Sequence, residues 1–239
     1  MGADRLQKLL AAAGLCSRRQ AETWLRDGRV RVNGGLAQLG DRADPATDRI
    51  CVDGQPLALP SSTLTLLLNK PPGVLSTCHD THGRPTVLDL LPTDLRRGLH
   101  PVGRLDADSR GALLLSNDGD LTLRLTHPRY GHRKTYRVWV EGLPRQTTLE
   151  RWRAGVPLDG LASLPVELRR LRHHRGATLL ELVLREGRNR QIRRTAEILG
   201  HPVLDLSRIA IGPVQLGELT EGSWRQVEPR EWGPLAVAP

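Results

Sequence analysis

The chain has 239 residues, of which 38% are hydrophobic, so it can bury a core, and this composition excludes an intrinsically disordered protein. Its 35 Lys and Arg residues outnumber its 26 Asp and Glu residues, and the net charge of +9 favours polyanionic partners, nucleic acid first among them. The three cysteines are widely spaced, which predicts neither a disulfide framework nor a zinc site. No apolar run is long enough to cross a bilayer, so we expect a cytoplasmic protein without a membrane partner.

Residues 1–58 are predicted to form a small module of two helices and two short strands. The apolar residues of the first helix recur at helical spacing and end at a glycine: Leu6, Leu9, Leu10, Ala13 and Gly14. Ser17 and Gln20 have the form of a capping box, so a second helix begins there and ends at Gly28. The segments VRVNG and ICVDG, which start at residues 30 and 50, predict strands closed by tight turns.

Four basic side chains of this module are candidate RNA contacts: Lys8, Arg18, Arg19 and Arg29. Arg18 and Arg19 fall in the first turn of the second predicted helix, where backbone amides and guanidinium groups can face one phosphate. The simpler interpretation is an ordinary solvated surface, because the module carries little net charge. Its order of helix, turn, helix and short strand, with SRRQAE at the second helix, resembles the S-four-like RNA-binding module.

Residues 59–63 have the composition of a linker, residues 64–232 are predicted to form a second, larger domain, and residues 233–239 a tail. Strands are predicted at six places: Thr65–Asn69, Ala112–Leu115, Thr135–Val140, Val166–Leu171, Thr178–Leu184 and Val203–Leu206. Helices are predicted at four: Thr86–Leu91, Asp120–Leu125, Thr148–Arg153 and Asn189–Leu199. Because strands often follow one another directly, we expect an α+β fold with a mixed, largely antiparallel central sheet flanked by helices.

The segment HPRYGHRKTYRVWVEG (127–142) holds both tyrosines of a chain that has no phenylalanine. Its strand pattern places Tyr136, Val138 and Val140 on one face, and Lys134 is one of several cations close by. Tyr136 is then either an ordinary core ring or, at the rim of the sheet, a ring on which a nucleobase stacks. Taken alone, the pattern favours the core ring.

The segment LREGRNRQIRRTAEILG (184–200) places five arginines before and within the first turns of a predicted helix. Arg188, Arg190 and Arg193 are the candidates for contact with RNA or with a carboxylate. A solvated helix face accounts for Arg194, but it does not explain so much positive charge at a helix start, where the macrodipole disfavours cations. A phosphate or carboxylate partner removes that conflict.

The segment GRLDADSRGALLLSNDGD (103–120) has acids at both ends of an apolar strand: Asp106, Asp108, Asp118 and Asp120. Asp118 and Asp120 fit turn and helix-capping positions, and the other two also fit a turn. One alternative is a magnesium-dependent nuclease or phosphotransferase built on the four carboxylates, since oxygen ligands suit Mg²⁺. His79 and His82 lie in a turn-rich segment without further ligands and do not predict a metal site.

Five motifs stand in the order and spacing of one enzyme class: NKPPG, GRPTVLDLLP, HPVGRLDADSRGALLLSNDG, HPRYGHRKTYRVWVEG and REGRNRQIRR. With the N-terminal module, the chain resembles the RsuA/RluB class of bacterial ribosomal RNA pseudouridine synthases over residues 4–232. The resemblance implies that Asp106 is the catalytic carboxylate, Tyr136 the base-stacking ring and Arg193 the arginine paired with Asp106. It also matches Arg104 to the arginine of the GRLD motif of the class.

The resemblance further implies that a monomer flips a uridine out of ribosomal RNA and isomerises it to pseudouridine without a metal or other cofactor. LQKLLAAAGLCSRR (6–19) and LGDR (39–42) are closer to the large-subunit branch of the class, so large-subunit ribosomal RNA is the expected partner. Two alternatives stay open: the same reaction on small-subunit ribosomal RNA, and a non-catalytic RNA-binding factor of ribosome assembly. In the second, Asp106 has no role beyond stability.

Overall fold

The structure, a computed structural model, describes residues 2–60 and 62–236. Its α-helices are α1 (Leu6–Ala12), α2 (Arg18–Arg26), α3 (Gly119–Thr126), α4 (Gln146–Ala154), α5 (Gln191–Ile198) and α6 (Pro229–Ala236). Its strands are β1 (Asp4–Arg5), β2 (Val30–Val32), β3 (Gly35–Leu36), β4 (Arg42–Ala43), β5 (Ile50–Val52), β6 (Gln55–Pro56), β7 (Thr65–Lys70), β8 (His100–Val102), β9 (Arg110–Ser116), β10 (Lys134–Glu141), β11 (Pro157–Leu158), β12 (Leu161–Ala162), β13 (Glu167–His174), β14 (Ala177–Leu184), β15 (Val203–Ile211), β16 (Val214–Gln215) and β17 (Trp224–Gln226). None of the described helices has the length and apolarity needed to cross a membrane.

The N-terminal domain combines α1 and α2 with a four-stranded antiparallel sheet in the order β3-β2-β5-β6. Leu6, Leu10 and Ala21 from the two helices are fully buried in its core, together with Val30 from the sheet. The cap expected at Ser17 is present, since its hydroxyl accepts a hydrogen bond from the backbone amide of residue 20 at 3.2 Å. The helices and strands predicted for this domain are confirmed.

The larger domain is built on a nine-stranded mixed sheet, which confirms the predicted α+β fold. The strand order is β13-β14-β10-β15-β9-β7-β17, with β16 paired to β15 and β8 paired to β9. Of the described pairs, β9 with β15 is parallel and the others are antiparallel. The six strands predicted beyond residue 63 all lie in this sheet.

Strand β9 lies between two hydrophobic layers, which explains its unbroken apolar run. Leu113 and Leu115 belong to the layer that contains residues of α4 and α5, whereas Ala112 and Leu114 belong to the layer that contains residues of α3. Alternate residues of a strand point to opposite faces, so both faces of β9 are buried. The loop that precedes β9, residues 103–109, is therefore attached to a rigid strand.

The helix predicted at Thr86–Leu91 is wrong, because this segment forms a single turn. The carboxylate of Asp89 accepts hydrogen bonds from the amide and the hydroxyl of Thr86 at 2.8 and 2.9 Å. These local bonds close the turn. Pro92 follows directly, and a proline disfavours helical backbone torsions at the residue before it, here Leu91. The other three predicted helices correspond to α3, α4 and α5, with ends shifted by one or two residues.

The predicted linker and the predicted tail each lie partly outside the described residues. The predicted tail, residues 233–239, begins inside α6, which reaches Ala236, and residues 237–239 are not described. Ser61 of the predicted linker is also not described.

The two domains contact each other at the C-terminal end of α1. Arg97 of the larger domain donates from Nε to the carbonyl oxygen of Ala13 at 3.0 Å and from Nη2 to that of Ala58 at 3.3 Å. Gly14 has a φ of +69°, and a Cβ there would lie 2.5 Å from the backbone nitrogen of Gly98, so this approach requires glycine. The backbone contact fixes the N-terminal domain against the larger one.

Candidate active site

The loop of residues 103–109, called the acidic loop below, is held by a lysine at the end of β7. Lys70 has no exposed surface, and its ammonium group donates to the carbonyl oxygens of Pro71, Ala107 and Ser109 at 2.9, 3.3 and 2.8 Å. Burial lowers the pKa of Lys70 to about 8, although nearby carboxylates oppose this effect. Three acceptors match the three N–H donors of the ammonium group, so Lys70 fixes the backbone of the loop.

Two arginines at the start of α5 face the two acids of the acidic loop. Arg190 donates to both carboxylate oxygens of Asp108, at 3.2 and 3.1 Å, and its Nη1 lies 3.7 Å from Oδ2 of Asp106. Arg193 donates from Nη2 to the carbonyl oxygen of Asp108 at 3.0 Å and to the hydroxyl of Ser109 at 3.3 Å. Its buried Nε lies 3.3 Å from Oδ2 of Asp108, but the angle does not make a hydrogen bond.

The ion pair predicted between Asp106 and Arg193 is not formed. Among the described residues, the arginine within 4.0 Å of Asp106 is Arg190, and the carboxylate within that distance of Arg193 is Asp108. Arg190 has a left-handed φ of 47° and precedes α5, so it lies outside the helix and reaches both acids. Burial raises the pKa of Asp108, but the hydrogen bond from Arg190 and the charges of both arginines outweigh burial, so its pKa is lowered.

The acidic loop and the start of α5 enclose a cleft of about 290 Å³, called the first cleft below. The three residues predicted as catalytic, Asp106, Tyr136 and Arg193, all line it. The predicted substrate contacts Arg104, Arg188 and Arg190 line it as well. The side chain of Asp106 is 36% exposed, so it is accessible from the cleft.

Tyr136 fits both interpretations of its sequence pattern. The residue is 8% exposed and belongs to the same buried cluster as Val138 and Val140, as a core ring would. Tyr136 also lines the first cleft and a neighbouring second cleft of about 310 Å³. The two clefts share six residues: Gly103, Arg104, Tyr136, Glu186, Gly187 and Arg188. Tyr136 is thus a largely buried residue that lines both clefts.

The other predicted RNA contacts near the clefts differ in whether their side chains already bond to other parts of the protein. Arg188 donates to the carbonyl oxygens of Leu161 and Ala162 at 2.9 and 2.6 Å and pairs with Glu186 at 3.2 Å, so it ties the loop before α5 to β12. Arg104 is exposed and lines both clefts. Lys134 is half-buried and lines the second cleft.

The four candidate RNA contacts of the N-terminal domain also divide into engaged and exposed groups. Lys8 pairs with Asp4 at 3.0 Å and with Asp120 of the larger domain at 3.1 Å. Arg29 pairs with Asp53 at 2.6 Å and lies over the ring of Trp24 at 4.4 Å. Arg18 and Arg19 are exposed on the first turn of α2, and neither belongs to an ion pair of the described residues.

The four acids around β9 are not brought together. Asp118 caps α3, since its carboxylate accepts from the amides of Asp120 and Leu121 at 2.9 and 3.0 Å, which confirms its predicted capping role. The seven residues of β9 separate these acids from the acidic loop by roughly 20 Å. Within residues 2–60 and 62–236, no group of three or more His, Cys, Asp or Glu side chains is placed to hold a metal ion. The arrangement that the magnesium alternative requires is therefore not present.

Two basic residues of this region are not singled out by the sequence patterns. Lys70 follows an apolar strand and precedes two prolines, and its complete burial depends on the distant acidic loop. Arg208 lies in β15 and is 3% exposed. The sequence offers one sign of its burial: Arg208 alternates with Leu206 and Ala210, so it occupies a strand position where an apolar residue is expected.

Two families match the chain. Residues 64–197 match the sequence model of the RNA pseudouridylate synthase family, and residues 4–50 match that of the S4 domain. Together with the fold and the first cleft, these matches define an RNA-modifying enzyme with an N-terminal S4 domain.

Similar proteins agree over nearly the full length. The chain is 40% identical over 236 residues to an uncharacterized RNA pseudouridine synthase of Aquifex aeolicus, covering 98% of this chain and 94% of that protein. It is 37% identical over 231 residues to the ribosomal large subunit pseudouridine synthase B of Bacillus subtilis, covering 95% and 93%. A crystal structure of a pseudouridylate synthase, 30% identical, superimposes with a TM-score of 0.70 over 97% of this chain and 99% of the other. The chain therefore belongs to the RNA pseudouridylate synthase family, and the resemblance found in its motifs is confirmed.

Proposed function

We propose that this enzyme isomerises a specific uridine of large-subunit ribosomal RNA to pseudouridine, with Asp106 as the catalytic carboxylate. The observation that carries the proposal is the 37% identity, over 95% of the chain, to a protein named for that activity on the large ribosomal subunit. The position of Asp106 in the first cleft, beside Tyr136, supports the assignment of the carboxylate.

The reaction breaks the bond between C1′ and N1, turns the uracil within the site and joins C1′ to C5. C5 loses a proton and N1 gains one, so the product is an isomer. Asp106 acts on the sugar by one of two routes, attack on C1′ or removal of a sugar proton, and both require its ionised form. Arg190 faces this carboxylate, with its Nη1 3.7 Å from Oδ2 of Asp106.

Tyr136 and Arg193 have different roles in this proposal. Tyr136 holds the detached uracil by stacking, which contributes about 1–3 kcal/mol per base. Arg193 is a positioning residue, because its hydrogen bonds run to the backbone of Asp108 and to Ser109 rather than to Asp106. It keeps the acidic loop in place while the base turns.

The remaining basic residues are proposed to hold the RNA. Extraction of the target base from its stack costs a few kcal/mol, which contacts to the backbone must offset. The proposed contacts are Arg104, Lys134, Arg188 and Arg190 around the clefts, and Lys8, Arg18, Arg19 and Arg29 on the N-terminal domain. We propose that the enzyme acts as a monomer in the cytoplasm, where ribosomal RNA is assembled.

The test is a map of pseudouridine across ribosomal RNA from cells with and without the gene, complemented with either Asp106→Asn or the control Asp94→Asn, which changes an exposed carboxylate elsewhere on the larger domain. We expect one large-subunit position to lose its pseudouridine without the gene, to regain it with the control, and to stay unmodified with Asp106→Asn. An unchanged map contradicts the proposal. A lost position in the small subunit, or full rescue by Asp106→Asn, supports one of the two alternatives named above.

A further inference from the structure

Two basic side chains lie together in the second cleft without a carboxylate partner. Arg208 is 3% exposed, its Nε donates to the carbonyl oxygen of Ala112 at 2.7 Å, and its buried Nη2 has no hydrogen-bond partner in the described part of the chain. Lys134 donates one long hydrogen bond, to the carbonyl oxygen of His132 at 3.4 Å. Both residues line the second cleft. Among the described residues, neither forms an ion pair within 4.0 Å.

The charge balance of the second cleft leaves these cations uncompensated. Glu186 is the one acid among the lining residues, and its carboxylate already accepts from the amide of Leu164 at 2.8 Å and from Gln191 at 2.7 Å and pairs with Arg188 at 3.2 Å. Burial lowers the pKa of Lys134, and the positive charge of Arg208 lowers it further. Two neighbouring cations with little access to water are costly unless an anion binds them.

The sheet places this pair next to the reaction site. Lys134 and Tyr136 lie on the same face of β10, because alternate residues of a strand share a face. Arg208 on β15 is the direct partner of Tyr136 in the antiparallel register and of Gly111 in the parallel register with β9. Since Tyr136 lines both clefts, the second cleft adjoins the first at this ring.

We propose that Lys134 and Arg208 bind one phosphodiester group of the RNA strand, next to the uridine that enters the first cleft. This site rests on the proposed function, since it assigns a part of the same substrate. A phosphate in the second cleft offers charged acceptors to the guanidinium group of Arg208 and to the ammonium group of Lys134, which both line it, and such contacts fix the register of a nucleic acid strand. The site thereby selects which nucleotide lies opposite Asp106.

The first experiment compares Lys134→Met with Arg137→Met, which removes the same charge from the exposed, opposite face of β10. The substrate is a ribosomal RNA fragment that contains the uridine found by mapping. We expect Lys134→Met to raise KM about tenfold or more, as the loss of a charged hydrogen bond does, with kcat little changed. We also expect the slope of log Kobs against log salt concentration to fall by about 0.7–0.9. Arg137→Met should change neither.

The second experiment identifies the phosphate with neutral methylphosphonate groups placed one at a time around the target uridine. We expect one position to weaken binding by the wild type as much as Lys134→Met does, and to have no further effect in that variant. Methylphosphonate effects that add to Lys134→Met at every position overturn the site, and so does equal behaviour of Lys134→Met and Arg137→Met.

Arg208→Lys provides a further comparison, because it keeps the charge and removes the guanidinium donors. We expect the same methylphosphonate position to lose part of its effect. Lys134→Met decides the question if the Arg208 variant fails to fold, since Lys134 is only half-buried. A wild-type enzyme that converts no uridine overturns the proposed function and this site with it. Normal conversion with additive methylphosphonate effects overturns this site alone.

Discussion

Lys70 carries its charge inside the protein, so its contribution to stability depends on pH. Its pKa is about 8 in the folded state, against 10.5 for the ordinary side chain. Between these two values the unfolded chain binds more protons, so the free energy of unfolding rises with pH in that interval, by up to about 3 kcal/mol. Below pH 8 this gain is lost, because both states hold the proton.

The prediction for Lys70 is tested by denaturant unfolding of the wild type and Lys70→Met between pH 7.5 and 10.5. The difference in unfolding free energy should shift in favour of the wild type as pH rises, while the other titrating groups cancel in the comparison. A difference that stays constant over this interval would show that Lys70 titrates normally.

Arg193 is predicted to support turnover through the acidic loop rather than through RNA binding. Arg193→Met removes two hydrogen bonds to the backbone of Asp108 and to Ser109, so we expect kcat to fall about 10- to 100-fold while RNA affinity stays within a few-fold. Arg194→Met is the matched control, because Arg194 lies on the same helix and pairs with Asp159 away from the loop. Near-normal turnover of Arg193→Met would contradict a role of Arg193 in positioning the acidic loop.

The pairing of β9 with its parallel neighbour β15 depends on a glycine at position 111. Its φ is +104°, and a Cβ there would lie 2.2 Å from the carbonyl oxygen of Arg208 in the parallel partner strand. Gly111→Ala should therefore destabilise the protein by about 3 kcal/mol or more, because backbone must move. Gly160→Ala is the control: its φ is +78° but nothing lies within 4 Å of the added Cβ, so about 1 kcal/mol is expected. Urea unfolding measures both, and equal losses would contradict the steric explanation.

The elements that the sequence predicts correctly are those whose signal is local. Apolar runs and capping residues identify β9 and α2, since burial and the bond from Ser17 act within a few residues. The segment Thr86–Leu91 has apolar residues at helical spacing, but hydrogen bonds from Thr86 to the Asp89 carboxylate stabilise a turn instead of a helix. The parallel pairing of β9 with β15 joins residues that are far apart in the chain, and no local pattern specifies it.

At the scale of the whole molecule, the motifs identify the residues of the site but not how they pair. Asp106, Tyr136 and Arg193 all line the first cleft. The choice of Arg190 as the arginine beside Asp106 depends on one left-handed torsion before α5. The second cleft depends on Arg208, which the fold brings next to Lys134 from a different strand, so pattern alone does not reveal it.

The contact between the two domains is predicted to matter for substrate capture. Arg97→Met removes the hydrogen bonds to the carbonyl oxygens of Ala13 and Ala58, one at the end of α1 and one just before the linker. The N-terminal domain should then move more freely, so we expect faster proteolytic cleavage between residues 57 and 63 and a rise of a few-fold in KM, with kcat unchanged.

Arg96→Met is the control for this change, because Arg96 bonds within the larger domain, to Leu91 and Asp89, and its loss removes the same charge. If Arg97→Met lowers kcat and leaves the cleavage rate of the linker as in the wild type, the contact serves the active site directly. If linker cleavage and KM both rise while kcat stays unchanged, the contact supports RNA capture by holding the N-terminal domain against the larger one. Deletion of residues 1–60 should then weaken RNA binding at moderate salt more than it slows the bound reaction, because the residues that line the first cleft all belong to the larger domain.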